Sequence, residues 1–446
     1  MDQGTVIVVG AGPAGLFAAR KIATAGHHVL ILNRDIKPGG LAEYGIYPQK
    51  FHMKGGLRKQ FAKILALPNL DYFGNVRVRA DDRLTIEGLR GWHPTAIVFA
   101  VGAQGTKKLG LSGEDANGVY SAKDFVYHYN LLPPFASQDF STGRRVAIVG
   151  MGNVMVDIAR WLLIDQPGEK PDEVTVIARR GPFEVKFDRK EFDEVEAYLN
   201  RKLFQDELNR VAGACTAVGQ DVNQVADTAF PWIKNQPETS PASKLKFRFL
   251  SSPVGIEPGA DGRIARLCVV ENMLVRDGDD TRPKATDRET LLEIDTLIFA
   301  IGDLADPGLG LPYGKNSYVT NSDPADLDRA AYEVFDPASG KVVEGTFVVG
   351  WARKASEGLV GKARFDAEHG VDHVLKYLEG ASKRTSASTA EILTELRSKG
   401  IEAITKEDVH WLTQVEAQQA QSLGLPEFKF ATNDEMLRAI EAKVTG

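Results

Sequence analysis

Short, largely apolar runs recur along the chain, and several of them end at a glycine-containing turn. Because these runs are continuous rather than alternating, they predict strands of parallel sheets that are buried on both faces. The runs are Thr5–Val9, His28–Leu32, Ala96–Ala100, Arg145–Val149, Val174–Ile177, Asp295–Ala300 and Thr346–Val349. Helical periodicity follows the first run over Leu16–Ala25 and the fourth run as far as about Ile164. Strands that alternate with helices predict an α/β protein.

The first strand runs directly into a glycine-rich turn that opens the first helix, Gly10-Ala11-Gly12-Pro13-Ala14-Gly15. This is the strand–turn–helix setting of a dinucleotide-binding fingerprint. Gly10 makes the tight turn, Gly12 lets the backbone approach a pyrophosphate, and Gly15 lets the helix pack close to the strand. A glycine-rich turn without a ligand is the alternative. The strand before it and the helix and second strand after it favour the fingerprint.

The end of the second predicted strand lacks the acidic residue that usually holds a ribose hydroxyl. Asn33 stands there instead. Its amide oxygen can accept that hydrogen bond without charge, and Arg34 or Asp35 could share the role. A glycine-punctuated loop follows, containing Pro38-Gly39-Gly40-Leu41 and Tyr44-Gly45-Ile46-Tyr47-Pro48. The third strand closes at Val101-Gly102-Ala103, a small-residue turn that often ends the first half of an FAD domain.

The pattern restarts after Arg145–Val149 with Gly150-Met151-Gly152-Asn153-Val154 and a helix. Two strand–Gly-x-Gly–helix units in one chain indicate two dinucleotides, which in a redox enzyme are FAD and a nicotinamide. The next strand ends in Ala178-Arg179-Arg180-Gly181-Pro182, where a site for NAD usually carries an acid. Two arginines suit the 2′-phosphate of NADP, because guanidinium groups form charge-assisted hydrogen bonds with phosphate. A solvated basic turn is the alternative.

The later runs predict that the chain leaves the first domain and then returns to it. Asp295–Ala300 closes the second domain, and Thr346–Trp351 is one more buried strand with a glycine end. Gly358-Leu359-Val360-Gly361 opens a helix whose N-terminal amides could face a flavin. The predicted fold is therefore α/β with two Rossmann-like dinucleotide-binding domains, the FAD domain being discontinuous and closed by C-terminal helices. Residues 1–105 and 335–446 are predicted to form the FAD domain, and residues 106–334 the NADP domain.

Composition and charge exclude several classes of protein. Among the 446 residues are two cysteines, Cys215 and Cys268, which form no CxxC pair; a redox-active disulfide and a resident iron–sulfur cluster are therefore both disfavoured. A formal net charge of −6 argues against general nucleic-acid binding. No run approaches the roughly 20 apolar residues that span a bilayer. The chain leads straight into a strand without an export signal, which predicts a cytoplasmic protein. No metal site is predicted.

Taken together, these motifs resemble the adrenodoxin reductase group of FAD-containing ferredoxin–NADP reductases, which share the two-dinucleotide fold of glutathione reductase. The similarity covers essentially the whole chain, including a segment from Glu407 to Ile440 that resembles the closing helices of that group. The matching motifs are Gly10 to Gly15, Tyr44 to Pro48, Gly150 to Val154, Asp157-Ile158-Ala159-Arg160, Ala178 to Pro182, Lys190-Glu191-Phe192 and Gly350-Trp351-Ala352-Arg353-Lys354. Plain disulfide reductases of this fold lack the combination of Asn153, the arginine pair and the Gly-Trp.

For the first domain, the resemblance implies contacts with the flavin and its pyrophosphate. Leu41 and Gly45 would line the flavin, and Gly358 with Leu359 would offer backbone groups to its pyrimidine edge. The residues predicted to hold cofactor in this domain are Gly10, Gly12, Pro13, Ala14, Gly15, Asn33, Arg34, Gly40, Leu41, Gly45, Ile46, Val101, Gly102, Gly350, Trp351, Gly358, Leu359 and Val360.

For the second domain, the resemblance implies a site for NADP, with NAD as a possible substitute. Trp351 would lie beside the nicotinamide, and Glu191 would approach it or help to move a proton; these two are the predicted catalytic residues. Loop packing for Trp351 and a solvated helix charge for Glu191 are the alternatives. The residues predicted to hold cofactor here are Gly150, Gly152, Asn153, Val154, Arg179, Arg180 and Glu191.

The implied reaction is hydride transfer between NADPH and flavin N5, followed by exchange of single electrons with a ferredoxin-type iron–sulfur protein. Three departures from the group leave the partner and the direction of flow open: Asn33, Lys50 in place of a common histidine, and Ser356 in place of a proline. A lysine does not titrate near neutrality unless it is perturbed, so proton handling like that of histidine does not carry over.

Two other functions remain open at this point. The same fold serves as the FAD- and NAD(P)H-binding subunit of larger oxidoreductases, such as 2-oxoacid:acceptor complexes and glutamate synthase. In that case the partner would be a cluster-containing subunit. A nucleotide-binding regulator without turnover is the second alternative.

Overall fold

The computed structural model describes residues 4–234, 244–321, 331–353, 360–382 and 385–445. The chain divides into two compact units. The first unit combines the described parts of Met1–Thr106, Tyr127–Ser137 and Gly302–Gly446. The second combines the described parts of Lys107–Val126 and Gln138–Ile301. Each unit is built on its own largely parallel sheet, which confirms the predicted α/β class with two dinucleotide-type domains, the first of them discontinuous.

The elements of both units follow in chain order. The strands are β1 (Thr5–Val9), β2 (His28–Leu32), β3 (Leu70–Gly74), β4 (Ala96–Phe99), β5 (Gly105–Thr106), β6 (Val119–Ser121), β7 (Arg145–Val149), β8 (Glu173–Ile177), β9 (Leu245–Arg248), β10 (Ser251–Pro258), β11 (Ile264–Asp277), β12 (Asp280–Glu293), β13 (Thr296–Phe299), β14 (Asp303–Leu304), β15 (Glu333–Asp336), β16 (Lys341–Val348) and β17 (Ile404–Thr405). The helices are α1 (Pro13–Thr24), α2 (Leu41–Tyr44), α3 (Phe51–Leu65), α4 (Ile86–Gly91), α5 (Ala122–Tyr129), α6 (Asn153–Arg160), α7 (Arg189–Phe192), α8 (Arg201–Thr216), α9 (Val360–Gly380), α10 (Thr389–Ser398), α11 (Lys406–Leu423) and α12 (Asn433–Thr445). A π-helical turn, Trp161–Asp165, extends α6.

The first unit has a seven-stranded sheet in the order β15-β16-β4-β1-β2-β3-β17. Its five inner strands pair in parallel, and β15 and β17 pair antiparallel at the two edges. Alternate residues of β1 enter two different cores, Val6 and Val8 on one face and Ile7 and Val9 on the other. This burial on both faces explains why the predicted strands read as continuous apolar runs.

The second unit has a five-stranded parallel sheet in the order β6-β13-β7-β8-β9. A separate antiparallel sheet, β10-β11-β12, belongs to the same unit. The pattern of apolar residues does not predict this second sheet, because β12 has mostly polar and exposed positions. The long hairpin formed by β11 and β12 contacts the turn after β8 through Asp280.

The observed units differ from the predicted boundaries at two places. The chain rejoins the first unit at Gly302 rather than at residue 335. The reason is that β14 pairs antiparallel with β5, and that Leu309, Leu311 and Tyr318 join the apolar core of the first unit. Residues Tyr127–Ser137 also group with the first unit, because Tyr127 and Leu132 pack against Tyr44.

Candidate nucleotide-binding sites

The first glycine turn lies at the carboxyl end of β1, where helix α1 begins. Gly10 has a φ of +105°, which favours glycine, and its N–H donates to the Leu32 carbonyl at 2.7 Å. A Cβ on Gly15 would overlap the Gly10 carbonyl oxygen, so the close approach of helix to strand requires glycine there. Gly12 is the N-cap of α1, with Pro13 in the first helical position and no side chain capping the helix. The amides at the start of α1 thus remain available to an anion.

The loop after β2 lies directly against this glycine turn. The Gly39 N–H donates to the Ala11 carbonyl at 2.7 Å, and a Cβ on Gly40 would come within 3.1 Å of the Gly12 Cα. The N–H groups of Gly45 and Ile46 both donate to the Leu41 carbonyl, at 2.9 and 3.0 Å. The structure therefore brings together two groups of predicted FAD residues that the sequence separates by about 25 positions.

Asn33 ties these two loops together. Its Oδ1 accepts the Ala11 N–H at 2.9 Å, and its Nδ2 donates to the carbonyls of Asp35 and Lys37 at 2.8 and 3.0 Å. Nδ2 also lies 3.2 Å from the Tyr72 hydroxyl. The side chain is buried. Its polar atoms thus bind the protein itself, whereas the predicted contact with a ribose hydroxyl stays a prediction.

Asn33→Asp is expected to destabilise the first unit, although an acid is the usual residue of the fingerprint. A carboxylate keeps the acceptor for Ala11 but cannot donate to the two carbonyls, and it would be buried beside their oxygens. We expect a loss of roughly 3 kcal/mol in the free energy of unfolding, measured by urea titration of the apoprotein. Asn75→Asp is the matched control, because the Asn75 amide makes an exposed hydrogen bond to the Glu402 carbonyl. Equal stability of the two variants would show that the donors of Asn33 contribute little.

Other predicted FAD residues lie at the same edge of the sheet. Gly102, with a φ of +71°, follows β4 beside β1. Arg34 does not point to an open position; its guanidinium pairs with Asp35 at 2.8 Å and donates to Gln104 at 3.0 Å. Val101 packs against one of the cores of the unit. These contacts build the rim at which a ligand of the glycine turn would lie.

The return segment reaches this edge through β16. Gly350 has a φ of +68°. A Cβ added to it would lie 2.5 Å from the Ala14 Cβ, so the segment contacts the start of α1. Its N–H donates to Asp366 on α9 at 2.6 Å. Asp366 also pairs with Arg353, whose guanidinium lies 4.3 Å from the centre of the Tyr332 ring. These contacts fix the backbone on either side of Trp351.

Trp351 is the side chain that the resemblance places beside the nicotinamide. Its Nε1 is buried and has no hydrogen-bond partner among the described residues. A buried N–H usually has a partner, and residues 354–359, which follow directly, lie outside the described residues. The predicted residues Gly358 and Leu359 lie outside the described residues. Val360 is the first residue of α9.

A cluster of buried charges surrounds Glu43 of helix α2, and the sequence pattern does not predict it. Lys429 donates to the Glu43 carbonyl at 3.0 Å and pairs with the Glu43 carboxylate at 3.0 Å. Burial by itself raises the pKa of the Glu43 carboxyl, but Lys429, Lys37 and Arg58 together outweigh it, and the pKa lies well below its usual range. Lys429 of the C-terminal segment thus holds helix α2 in place through Glu43. Isolated charged residues in polar stretches carry no sequence signal of such a contact.

The second glycine turn repeats the first in the other unit. Gly150, with a φ of +127°, lies against the Ala300 carbonyl, and Gly152 is the N-cap of α6 without a side-chain cap. Asn153 Oδ1 accepts the Asp188 N–H at 2.6 Å, and the Lys186 N–H donates to the Met151 carbonyl at 3.0 Å. These bonds bring the segment that carries Glu191 to the glycine turn. Val154 is 46% exposed at the start of α6.

The arginine turn follows β8, next to β7 in the same sheet. The Asn272 amide donates to the Arg179 carbonyl at 2.9 Å, and the Leu250 N–H donates to the Arg180 carbonyl at 3.1 Å. The side chain of Arg179 is exposed, with no partner in the part of the chain that the structure describes. The guanidinium of Arg180 lies 3.2 Å from both carboxylate oxygens of Asp280 on the β11–β12 hairpin.

Neither cysteine resembles a redox centre. Cys215 is buried on α8, and Cys268 lies on β11; both are free thiols of the second unit. Burial, followed by the nearby Glu184, raises the pKa of the Cys215 thiol to about 11, which disfavours the reactive thiolate. Within the described residues there is no group of acidic, histidine or cysteine side chains suited to a metal, and no helix long and apolar enough to cross a membrane.

Comparisons with known proteins agree with this geometry. A family model described as pyridine nucleotide-disulphide oxidoreductase matches residues 4–325. The chain is 27% identical to NADPH-ferredoxin reductase FprA of Mycobacterium leprae, over 97% of each chain. It is also 27% identical to the mitochondrial NADPH:adrenodoxin oxidoreductase of Bos taurus, over 98% of this chain and 92% of that protein. The solved structure of Mycobacterium tuberculosis FprA in complex with NADPH aligns with a TM-score of 0.81 at 26% identity, covering 98% of this chain and all of that one.

Proposed function

The chain belongs to the pyridine nucleotide-disulphide oxidoreductase family, and from that membership we propose that it is an FAD-containing oxidoreductase that passes electrons from NADPH to a ferredoxin-type iron–sulfur protein. The relatives found confirm the resemblance to the adrenodoxin reductase group. Their names favour this function over a subunit of a larger complex. The cytoplasmic location expected from the sequence is part of the same proposal.

One observation carries the proposal: two uncapped helix N-termini follow two glycine turns, each at the carboxyl end of a parallel sheet. Ligands of such sheets bind at that edge. Apart from the adjoining chain, no atom of the described residues lies within 4 Å of a Cβ on Gly12 or Gly152, so the backbone at each turn is open to a pyrophosphate. Among the described residues the buried Trp351 Nε1 has no partner, which is compatible with a further group at the first site.

The residues present fit FAD in the first unit and NADP in the second. When bound, FAD supplies hydride and single-electron chemistry. The amides at the start of α1 would bind its pyrophosphate, and the loop from Gly40 to Ile46 would orient the ring. The hydrogen bond from the Gly350 N–H to Asp366 fixes the backbone next to Trp351. Asn153 and the arginine turn would bind the nicotinamide nucleotide, with Arg179 and Arg180 on its 2′-phosphate.

The absence of a suitable thiol pair distinguishes this proposal from disulfide reduction. A flavin enzyme that reduces disulfides of the thioredoxin type needs two neighbouring cysteines. Here the two thiols lie on different elements of the second unit. Electron transfer to an iron–sulfur cluster requires no thiol of the reductase.

The purified protein is expected to carry FAD and to reduce ferredoxin with NADPH. Flavin is identified by its absorbance and, after release from denatured protein, by chromatography. Steady-state reduction of a purified ferredoxin is then compared with NADPH and with NADH. Oxidised thioredoxin serves as the control acceptor and is expected to remain oxidised. A protein that binds no added FAD, or that reduces thioredoxin but not ferredoxin, would contradict the proposal.

A further inference from the structure

Asp280 forms an ion pair with Arg180 at the arginine turn. Both of its carboxylate oxygens lie 3.2 Å from Arg180 Nη1. The Thr281 N–H, at 2.8 Å, and Arg180 together lower the pKa of the Asp280 carboxyl, so that it is charged at neutral pH. One of the two arginines therefore has an acid of the same unit as its partner.

The backbone of the hairpin holds Asp280 in this place. The register pairs Asp277 with Asp280 and Arg276 with Thr281, where the two long strands meet. The next side chain, Thr281, is buried, and its hydroxyl donates to Glu184 at 2.7 Å. Glu184 in turn belongs to the 3-10 turn Pro182–Glu184, which follows the arginine turn directly. Asp280 is thus anchored to the segment that carries Arg180.

We propose that Asp280 is a specificity-determining residue that competes with the 2′-phosphate of the nicotinamide nucleotide for Arg180. This inference rests on the proposed function, because it takes the arginine turn as the 2′-phosphate site. A 2′-phosphate bound by Arg180 lies close to the negative charge of Asp280, and it either displaces that carboxylate from Nη1 or shares the guanidinium with it. NADH has no 2′-phosphate and leaves the pair intact. Asp280 therefore narrows the preference for NADPH over NADH.

Arg179 explains why the competition reduces the preference rather than abolishing it. Its side chain is exposed and has no partner in the described part of the chain, so it remains free for a phosphate. The negative charge of Asp280 reduces the contribution that Arg180 makes to phosphate binding. The two arginines are adjacent in sequence but contribute unequally to the affinity for the phosphate.

Asp280→Asn tests the competition, because the amide keeps the acceptor for the Thr281 N–H and removes only the charge. The probes are 2′,5′-ADP, which carries the 2′-phosphate, and 5′-AMP, which does not. We expect the Kd for 2′,5′-ADP, measured by calorimetry, to fall about two- to fivefold, as for a surface ion pair. The Kd for 5′-AMP should not change. The KM for NADPH should fall by the same factor while that for NADH stays constant.

Asp279→Asn is the matched control, because it removes the same charge from the same hairpin turn at a residue that does not pair with Arg180. Tighter binding of 2′,5′-ADP to Asp280→Asn than to Asp279→Asn supports the inference. Equal affinities of the two variants overturn it. If the wild-type protein binds 2′,5′-ADP no better than 5′-AMP, and Arg180→Ala changes neither affinity, the assignment of the arginine turn itself fails, which contradicts the proposed function instead.

Discussion

Gly15→Ala is expected to abolish FAD binding and to destabilise the first unit. A Cβ at this position would overlap the Gly10 carbonyl oxygen and come within 3.3 Å of the Ala100 Cβ, so α1 must move away from the sheet. The obstruction is backbone, which cannot rotate aside as a side chain can. We expect a loss of about 3 kcal/mol in the free energy of unfolding, measured by urea titration of the apoprotein, together with loss of the flavin absorbance.

Gly12→Ala separates the binding of the cofactor from the stability of the fold. Apart from its chain neighbours, no described residue lies within 4 Å of its Cβ, and its φ of −72° is accessible to alanine. The apoprotein should therefore unfold at the same urea concentration as the wild type. The added methyl group would occupy the space through which a pyrophosphate approaches, so FAD affinity should fall. If Gly12→Ala retains full FAD affinity, the pyrophosphate does not bind at this turn, whatever the fate of Gly15→Ala.

Arg179→Ala is expected to raise the KM for NADPH roughly ten- to a hundredfold, and Arg180→Ala to raise it by less, because Arg180 already pairs with Asp280. Each hydrogen bond to a charged group contributes on the order of 1.5 to 3 kcal/mol, so the loss of one weakens NADPH binding by roughly ten- to a hundredfold. The KM for NADH should barely change, because NADH has no 2′-phosphate. FAD content should also stay constant, since the arginine turn belongs to the second unit.

Arg144→Ala provides the control for a general loss of positive charge in the second unit. Arg144 precedes β7 at the amino end of the sheet and pairs with Asp172, away from the edge at which the glycine and arginine turns lie. Its replacement should leave both KM values unchanged. A wild-type protein that prefers NADH, or alanine variants of Arg179 and Arg180 that weaken both nucleotides equally, would show that the pair does not bind the 2′-phosphate.

The two glycine turns were predictable from sequence because everything they require is local. Gly10 to Gly15 lie on one strand–turn–helix unit, and the residues that make the turn are adjacent to those that start α1. The predicted strands β1, β2 and β7 have the observed bounds. The position of the arginine turn was also predictable, because it follows the strand after the second fingerprint.

The antiparallel sheet of the second unit was not predictable in the same way. Its strand β12 alternates weakly and contains few apolar residues, because most of its side chains are exposed. The return of the chain at Gly302 depends on a two-residue pairing of β14 with β5, which is too short to leave a pattern. In both cases the pairing partner, rather than the segment itself, decides the structure.

The amino-acid sequence by itself determined the α/β class, the two nucleotide fingerprints and the basic character of the second, because periodicity and turn chemistry act over a few neighbouring residues. Only the tertiary structure decided what the polar side chains do. Asn33 meets Tyr72 across 39 positions, Arg180 meets Asp280 across 100, and Lys429 meets Glu43 across 386. Such contacts depend on the path of the whole chain, and a single Asn, Asp or Lys carries no local signal of its partner. For that reason the sequence predicts an arginine site for NADPH, whereas the fold shows that an acid already holds one of its arginines.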